Sequence, residues 1–199
     1  THEFNKILDV GCGTGGNCIR LFKERRDCFG IDPLLNISIR IARTNAVQER
    51  VDITYILSEG ENIPFRDEKF DMVICGSVLQ HVQNQSQTLQ EIRRVLKKES
   101  FFVISVPQTI RKSTFHDLSS YTMHFNRAIL IDLLEKNDFK IIELHGSGFL
   151  MPITEKVLTI FYPLIKDNGT KNMLRILDKI ADRFPSFASS IIVLAEVMK

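Results

Sequence analysis

Four of the chain's ten glycines fall within eleven residues, "ILDVGCGTGGN" at positions 7–17, directly behind an apolar run that carries one aspartate. Ile7, Leu8 and Val10 read as a short buried strand. Gly11, Gly13, Gly15 and Gly16 follow where a backbone without side chains can turn tightly and approach a ligand closely. Counted as GxGxxG, on Gly11, Gly13 and Gly16 with a helix over 17–25 behind it, the stretch is a dinucleotide fingerprint. Counted as DxGxGxG, it puts Asp9 at the strand's carboxyl end, where an anion repels a pyrophosphate and suits a cationic ligand.

Other acidic residues recur at comparable places. Strand-like runs at 28–32, 51–57, 70–76, 101–106, 139–145 and 190–197 alternate with helical spacing at 34–47, 86–98 and 126–137. Regular βα alternation implies a parallel sheet covered by helices on both faces, and ligands of such sheets bind beyond the strands' carboxyl ends. Asp9, Asp32, Glu59 and Gly76 all fall at or just past those ends and are expected to line one crevice. In the helix over 34–47, the apolar spacing runs through Leu34, Leu35, Ile37, Ile41 and Ala42.

Composition narrows the partners. With 199 residues, 44% hydrophobic and 25% charged, the chain can bury one good core. A net charge of +2 with both signs interspersed leaves no basic stripe for nucleic acid. Cys12, Cys18, Cys28 and Cys75 form no CxxC pair and are expected to be buried free thiols, which suits a reducing cytoplasm. No signal-peptide or transmembrane run stands out. The chain opens on Thr1 and reaches its first strand almost at once, which reads as a fragment lacking an N-terminal segment. Nothing divides residues 1–199 into two domains.

The blocks "ILDVGCGTG", "GIDP", "SEGENIPFRDEKFDMVICGSVLQHV" and "EIRRVLKK…FFVISVP" together resemble the class I S-adenosylmethionine-dependent methyltransferases, in the broad group that includes ubiquinone and menaquinone biosynthesis enzymes. The resemblance implies a Rossmann-like, doubly wound, mostly parallel seven-stranded sheet whose last strand runs antiparallel between the fifth and sixth. S-adenosylmethionine is the implied cofactor and a small molecule the implied acceptor. Gly11, Cys12 and Gly13 would approach its methionine and ribose parts, with Asp9 orienting the loop or the ammonium through a water. Asp32, 19 residues after Gly13 and followed by Pro33, would accept from both ribose hydroxyls. Glu59 stands where the family has Asp for the adenine amine, with Gly60 as neighbouring backbone donor. A backbone carbonyl at Cys75 or Gly76 would receive the ammonium.

His81 and, more weakly, His124 are the candidate general bases for an oxygen acceptor, with Tyr121 beside them; the alternative for His81 is a packing role. Alignment of the nucleophile with the methyl–sulfur bond could suffice without a base. Residues 146–189 read as a helical insertion or lid, with apolar helices at 154–162 and 170–184 that would suit an apolar, lipid-linked, quinone-like or polyketide-like acceptor. A nicotinamide-dependent oxidoreductase and a catalytically silent cofactor-binding domain are the competing readings.

Overall fold

A computed structural model describes residues 5–108, 125–147 and 190–198. Seven strands form one sheet in the order β3-β2-β1-β4-β5-β7-β6. Apolar runs supply the middle of it: β1 (Lys6–Val10), β2 (Asp27–Asp32), β3 (Thr54–Leu57) and β4 (Phe70–Gly76), all paired parallel. The fifth strand, β5 (Leu96–Pro107), continues the parallel set beside β4. The chain's last strand, β7 (Ser190–Val197), pairs antiparallel with both β5 and β6 (Phe139–Ser147) and so fills the slot between them.

Among the described residues two helices cover each face. On one, α1 (Gly16–Lys23) and α2 (Arg40–Gln48) bury Cys18, Leu21, Ala42 and Ala46 against Ile7, Ile74 and Val103. On the other, α3 (Gln85–Val95) and α4 (Arg127–Lys136) bury Leu89, Ile92, Val95, Leu130 and Leu134 against Leu8, Val73, Phe102 and Ile104. Alternate residues of each strand thus go to opposite cores, as the pleat requires. Asn84 and Asn126 cap α3 and α4, each side chain accepting from a backbone N–H three residues on.

Two expectations are corrected. Of the apolar spacing assigned to the helix over 34–47 only Ala42 lies on the buried face: Leu34, Leu35, Ile37 and Ile41 are exposed, and Ile39 and Ala46 point inward beside Ala42. A single π turn at Leu35–Ile39 precedes α2 and changes the angular phase, so a uniform 3.6-residue count carried back from Ala42 selects exposed residues. The helix assigned to 86–98 stops at Val95, and Leu96–Ser100 open β5, with Leu96 opposite Phe70. The expected helices at 154–162 and 170–184 lie outside the described residues. Among the described residues no helix is long and apolar enough to cross a membrane.

Candidate cofactor-binding site

The loop after β1 is fastened to the exit of β2 by its own backbone. Gly11 and Cys12 N–H groups both donate to Ile31 O, at 2.8 and 2.9 Å. Gly13 N–H donates to Asp32 Oδ2 at 3.0 Å, and Leu34 N–H donates to Asp32 Oδ1 at 2.9 Å. One carboxylate therefore holds the glycine turn and the turn that follows Pro33. Ser58 N–H, donating to Asp32 O at 3.2 Å, brings the exit of β3 to the same place.

The glycines do different work. Gly11, Gly13 and Gly15 all have positive φ, at 70, 52 and 83°, which side chains rarely tolerate. A Cβ on Gly11 would collide with Val78, and one on Gly15 with the Tyr55 hydroxyl. A Cβ on Gly13 or Gly16 would meet nothing within 4 Å. Gly11 and Gly15 are therefore required by packing as well as by backbone angle, whereas Gly13 borders open space. Gly60 is buried against α3, where a Cβ would sit 3.0 Å from Thr88 Cγ2.

Asp9 lies beneath this loop with 1% of its surface exposed, and Asp32 beside it with 7%. Burial raises the Asp9 carboxyl to about 7; the Asn17 side chain and the Cys18 thiol oppose that rise, and the Asp32 charge adds to it. Among the described residues no cation contributes at Asp9. Asp9 therefore gives up its proton only near neutrality, and none of the groups that act on it is a cation able to meet a phosphate. All four cysteines are buried and free. Burial, reinforced by Asp9, pushes the Cys75 thiol up to about 12, and burial also raises Cys12 and Cys18. These thiols stay protonated at neutral pH and offer no nucleophile.

The residues singled out from sequence divide into groups. Asp9, Gly11, Cys12, Gly13 and Asp32 are brought together, with Pro33 exposed at the rim. Cys75 pairs with Val10 across β1, so Cys75 and Gly76 end β4 beside the same loop. Glu59 is exposed just beyond β3, and Asn62 N–H donates to its carbonyl at 3.3 Å. His81 is exposed in the turn after β4, where its N–H donates to Val78 O at 2.8 Å. His124 and Tyr121 lie outside the described residues.

Several supporting residues escaped the sequence reading. Tyr55 on β3 donates from its hydroxyl to Gly15 O at 3.2 Å, and its ring occupies the space that Gly30 leaves open. Val78 fills the space beside Gly11. The Asn45 amide of α2 donates to Thr14 O at 3.0 Å and holds the loop from the other side. The inward position of Tyr55 in an alternating strand was the available signal; contacts spanning 40 residues were not.

Residues 8–104 match a family model described as a methyltransferase domain. An uncharacterised protein of Methanocaldococcus jannaschii is 31% identical over 150 residues, covering 74% of this chain and 60% of that protein. A ubiquinone biosynthesis O-methyltransferase of Rickettsia bellii is 24% identical over 168 residues, covering 77% of this chain and 69% of that enzyme. The chain spans less than two thirds of the length of the first curated relatives it matches. A phosphoethanolamine N-methyltransferase of Haemonchus contortus, solved with S-adenosyl-L-methionine, shares the fold at a TM-score of 0.70 and 18% identity, covering 100% of this chain and 50% of that one. The family match runs through the glycine loop and Asp32, and the strand order with its inserted antiparallel β7 agrees with it. On these grounds the chain is similar to S-adenosylmethionine-dependent methyltransferases, through the domain match over residues 8–104 and the shared fold.

Proposed function

We propose that this chain binds S-adenosylmethionine in the crevice around Asp9, Gly13 and Asp32 and catalyses methyl transfer to an oxygen, nitrogen or carbon nucleophile of a small molecule. The observation that carries the reading is the glycine turn over two buried acidic side chains with no cation at Asp9. Such a site favours a cationic ligand and disfavours the pyrophosphate of a nicotinamide dinucleotide. When bound, the cofactor supplies an electrophilic methyl group, and in-line displacement leaves the electron pair on sulfur.

The chain's own residues have mainly to bind, orient and exclude water. Each oxygen of the Asp32 carboxylate accepts one backbone N–H and keeps a further acceptor site for a ribose hydroxyl. Gly13, with open space over its Cα, lets the ligand lie against the backbone. Asp9 meets the methionine ammonium through a water, and a carbonyl of Cys75 or Gly76 accepts from it. Cys12 and Pro33 line the edge, and Glu59 with Gly60 receives the adenine. His81 and His124 are the residues through which a proton from an oxygen nucleophile would leave. Quinone precursors and other apolar or lipid-linked acceptors fit the same reading, as does a cytoplasmic setting.

Thermal-shift titration with S-adenosylhomocysteine and with NADH tests the cofactor assignment. Stabilisation by the first and not the second is expected. Stabilisation by NADH alone would replace the reading with that of an oxidoreductase. Release of S-adenosylhomocysteine from S-adenosylmethionine in the presence of an acceptor then separates an enzyme from a silent binding domain.

A further inference from the structure

At the end of the sheet away from the glycine loop, three phenylalanine rings close around one lysine. The Lys69 ammonium lies 4.2 Å from the ring centre of Phe29, 4.0 Å from that of Phe65 and 5.3 Å from that of Phe70. The three rings pack edge to face on one another, with centres 5.6, 5.6 and 5.0 Å apart. They come from β2, from the segment before β4 and from the first residue of β4, so the cage exists only once the sheet has formed. Its walls are held in place. The Arg94 guanidinium donates to Phe65 O at 2.8 Å and to Ile63 O at 2.9 Å, and Lys69 N–H donates to Val95 O at 2.8 Å. Phe70 is fully buried, and Phe29 and Phe65 pack half-buried against the same core.

The surroundings of this ammonium contain no anion. Lys23, Lys97, Lys136 and Lys140 each face a carboxylate. Among the described residues none pairs with Lys69 Nζ, and the charges that act on it, those of Lys6 and Arg66, are both positive. Partial burial, reinforced by these two cations, lowers the Lys69 ammonium from its usual value and so enlarges the share of neutral, nucleophilic amine. An ammonium carries three N–H donors, and those turned toward the rings meet no oxygen. A methyl group on the nitrogen removes such a donor, keeps the charge and packs on a ring face. Three aromatic walls without an anion therefore suit a methylated ammonium better than a bare one.

We propose that Lys69 is an N-methylation site, that its methyl groups come from S-adenosylmethionine held by a second copy of this chain, and that the phenylalanine cage retains the methylated product. This protein acceptor is additional to the small-molecule acceptor, and it rests on the methyltransferase reading. The donor is not the same copy, because Phe70 opens β4 and Gly76 ends it beside the glycine loop, a strand length of about 20 Å that a lysine stem does not span.

The chemistry balances without a further reactant. Once Lys69 has given a proton to water, its neutral amine loses its attraction to the rings and leaves the cage. The nitrogen lone pair forms the N–C bond as the methyl–sulfur bond breaks, and the electron pair of the broken bond stays on sulfur, giving S-adenosylhomocysteine. The positive charge passes from sulfur to nitrogen, and the charged product returns to the rings.

The test uses the full chain, whose affinity for S-adenosylhomocysteine is measured first by calorimetry. The chain is incubated with S-adenosylmethionine carrying a trideuterated methyl group, and its peptides are read by mass spectrometry, methyl groups acquired during expression being counted in the same spectra. Methyl is expected on Lys69 at about ten times its level on Lys97, which Asp71 holds. The initial rate per chain should rise in proportion to chain concentration, and Gly13→Val should gain methyl only when mixed with the parent. Separately, formaldehyde with dimethylamine–borane methylates the lysines chemically. One of the resulting methyl resonances should move upfield under the ring currents and be missing in Lys69→Arg. Unmethylated Lys69, equal labelling of Lys97, a rate per chain independent of concentration, or labelling of Gly13→Val by itself overturns the proposal. So does the lack of an upfield resonance that depends on Lys69, which would leave Lys69 as a packing cation. If S-adenosylhomocysteine does not bind the parent, the methyltransferase reading and this site fall together; if it binds and Lys69 stays unmethylated, only this site falls.

Discussion

Removing the Asp32 carboxylate separates its two jobs, because it holds backbone on one side and faces the proposed ribose position on the other. In Asp32→Ala the Gly13 and Leu34 N–H groups lose acceptors at 3.0 and 2.9 Å. Hydrogen bonds to a charged partner contribute about 1.5–3 kcal/mol each; these are part-buried, so a combined stability loss of about 2–4 kcal/mol is expected. Relief of the Asp9–Asp32 repulsion offsets some of it. Two ribose hydroxyls would lose the same acceptor, and at about 1.5 kcal/mol each the affinity for S-adenosylhomocysteine should fall about a hundredfold. Asp32→Asn keeps the shape but turns one acceptor into a donor that faces a backbone N–H, so it should rescue only part of either loss. Calorimetry below the variant's melting temperature measures the affinity, and thermal denaturation the stability. Affinity within threefold of the parent, at any stability, would refute the ribose placement; lost affinity with unchanged stability would refute the claim that Asp32 fastens the loop.

The raised Asp9 carboxyl predicts an unusual pH dependence. From the ordinary 3.8 up to about 7 the folded state keeps a proton that the unfolded chain has released, so stability is fully present below about pH 4 and is lost as pH rises through 7. The loss is about 4 kcal/mol at most, and Asp9→Asn should flatten it in denaturant titrations at several pH values. Cofactor affinity should run the opposite way and strengthen toward pH 7 and above, as the ionised carboxyl meets the ammonium. Gly11→Ala should destabilise the fold through Val78, and Val78→Ala should restore part of the melting temperature. Gly13→Val should keep most of the circular dichroism signal yet abolish S-adenosylhomocysteine binding; retained binding would remove Gly13 from the site. His81→Ala should lower turnover of an oxygen acceptor about a hundredfold with little change in cofactor affinity if His81 is the base, and an unaltered rate and pH profile would exclude it.

What could be read from sequence was what local rules govern. The glycine loop and Asp32 were legible because residue type, spacing and strand end agree, and the slot for "SIIVLAEV" came with the family resemblance. The buried face of α2 was not legible, since the π turn at Leu35–Ile39 shifts the helical phase and no composition signal marks it. The boundary between α3 and β5 failed for a related reason: Leu96 is apolar at a spacing that serves either a helix or a strand, and its pairing with Phe70 decides the matter. Tyr55 and Val78 escaped because their contacts with the glycine loop are long-range.

The loop's four glycines answer to two different pressures, and that division bears on how such a site can change its ligand. Gly11 and Gly15 are confined by Val78 and Tyr55, residues from the β4 turn and from β3, so any substitution there is resisted by the packing of the sheet itself. Gly13 meets no protein atom at its Cβ position, and its remaining constraints are a φ of +52° and an N–H committed to Asp32. A change of ligand can therefore be accommodated at Gly13 without disturbing the core, and at Asp32 only by loosening the two turns it fastens, whereas Gly11 and Gly15 must persist for the strand–loop–helix junction to form at all. It follows that glycines at the positions of Gly11 and Gly15 testify to the junction, and that in the proposed reading the acidic residue at the end of β2, coupled to Gly13 through a single hydrogen bond, is the part of the motif that would face the ligand.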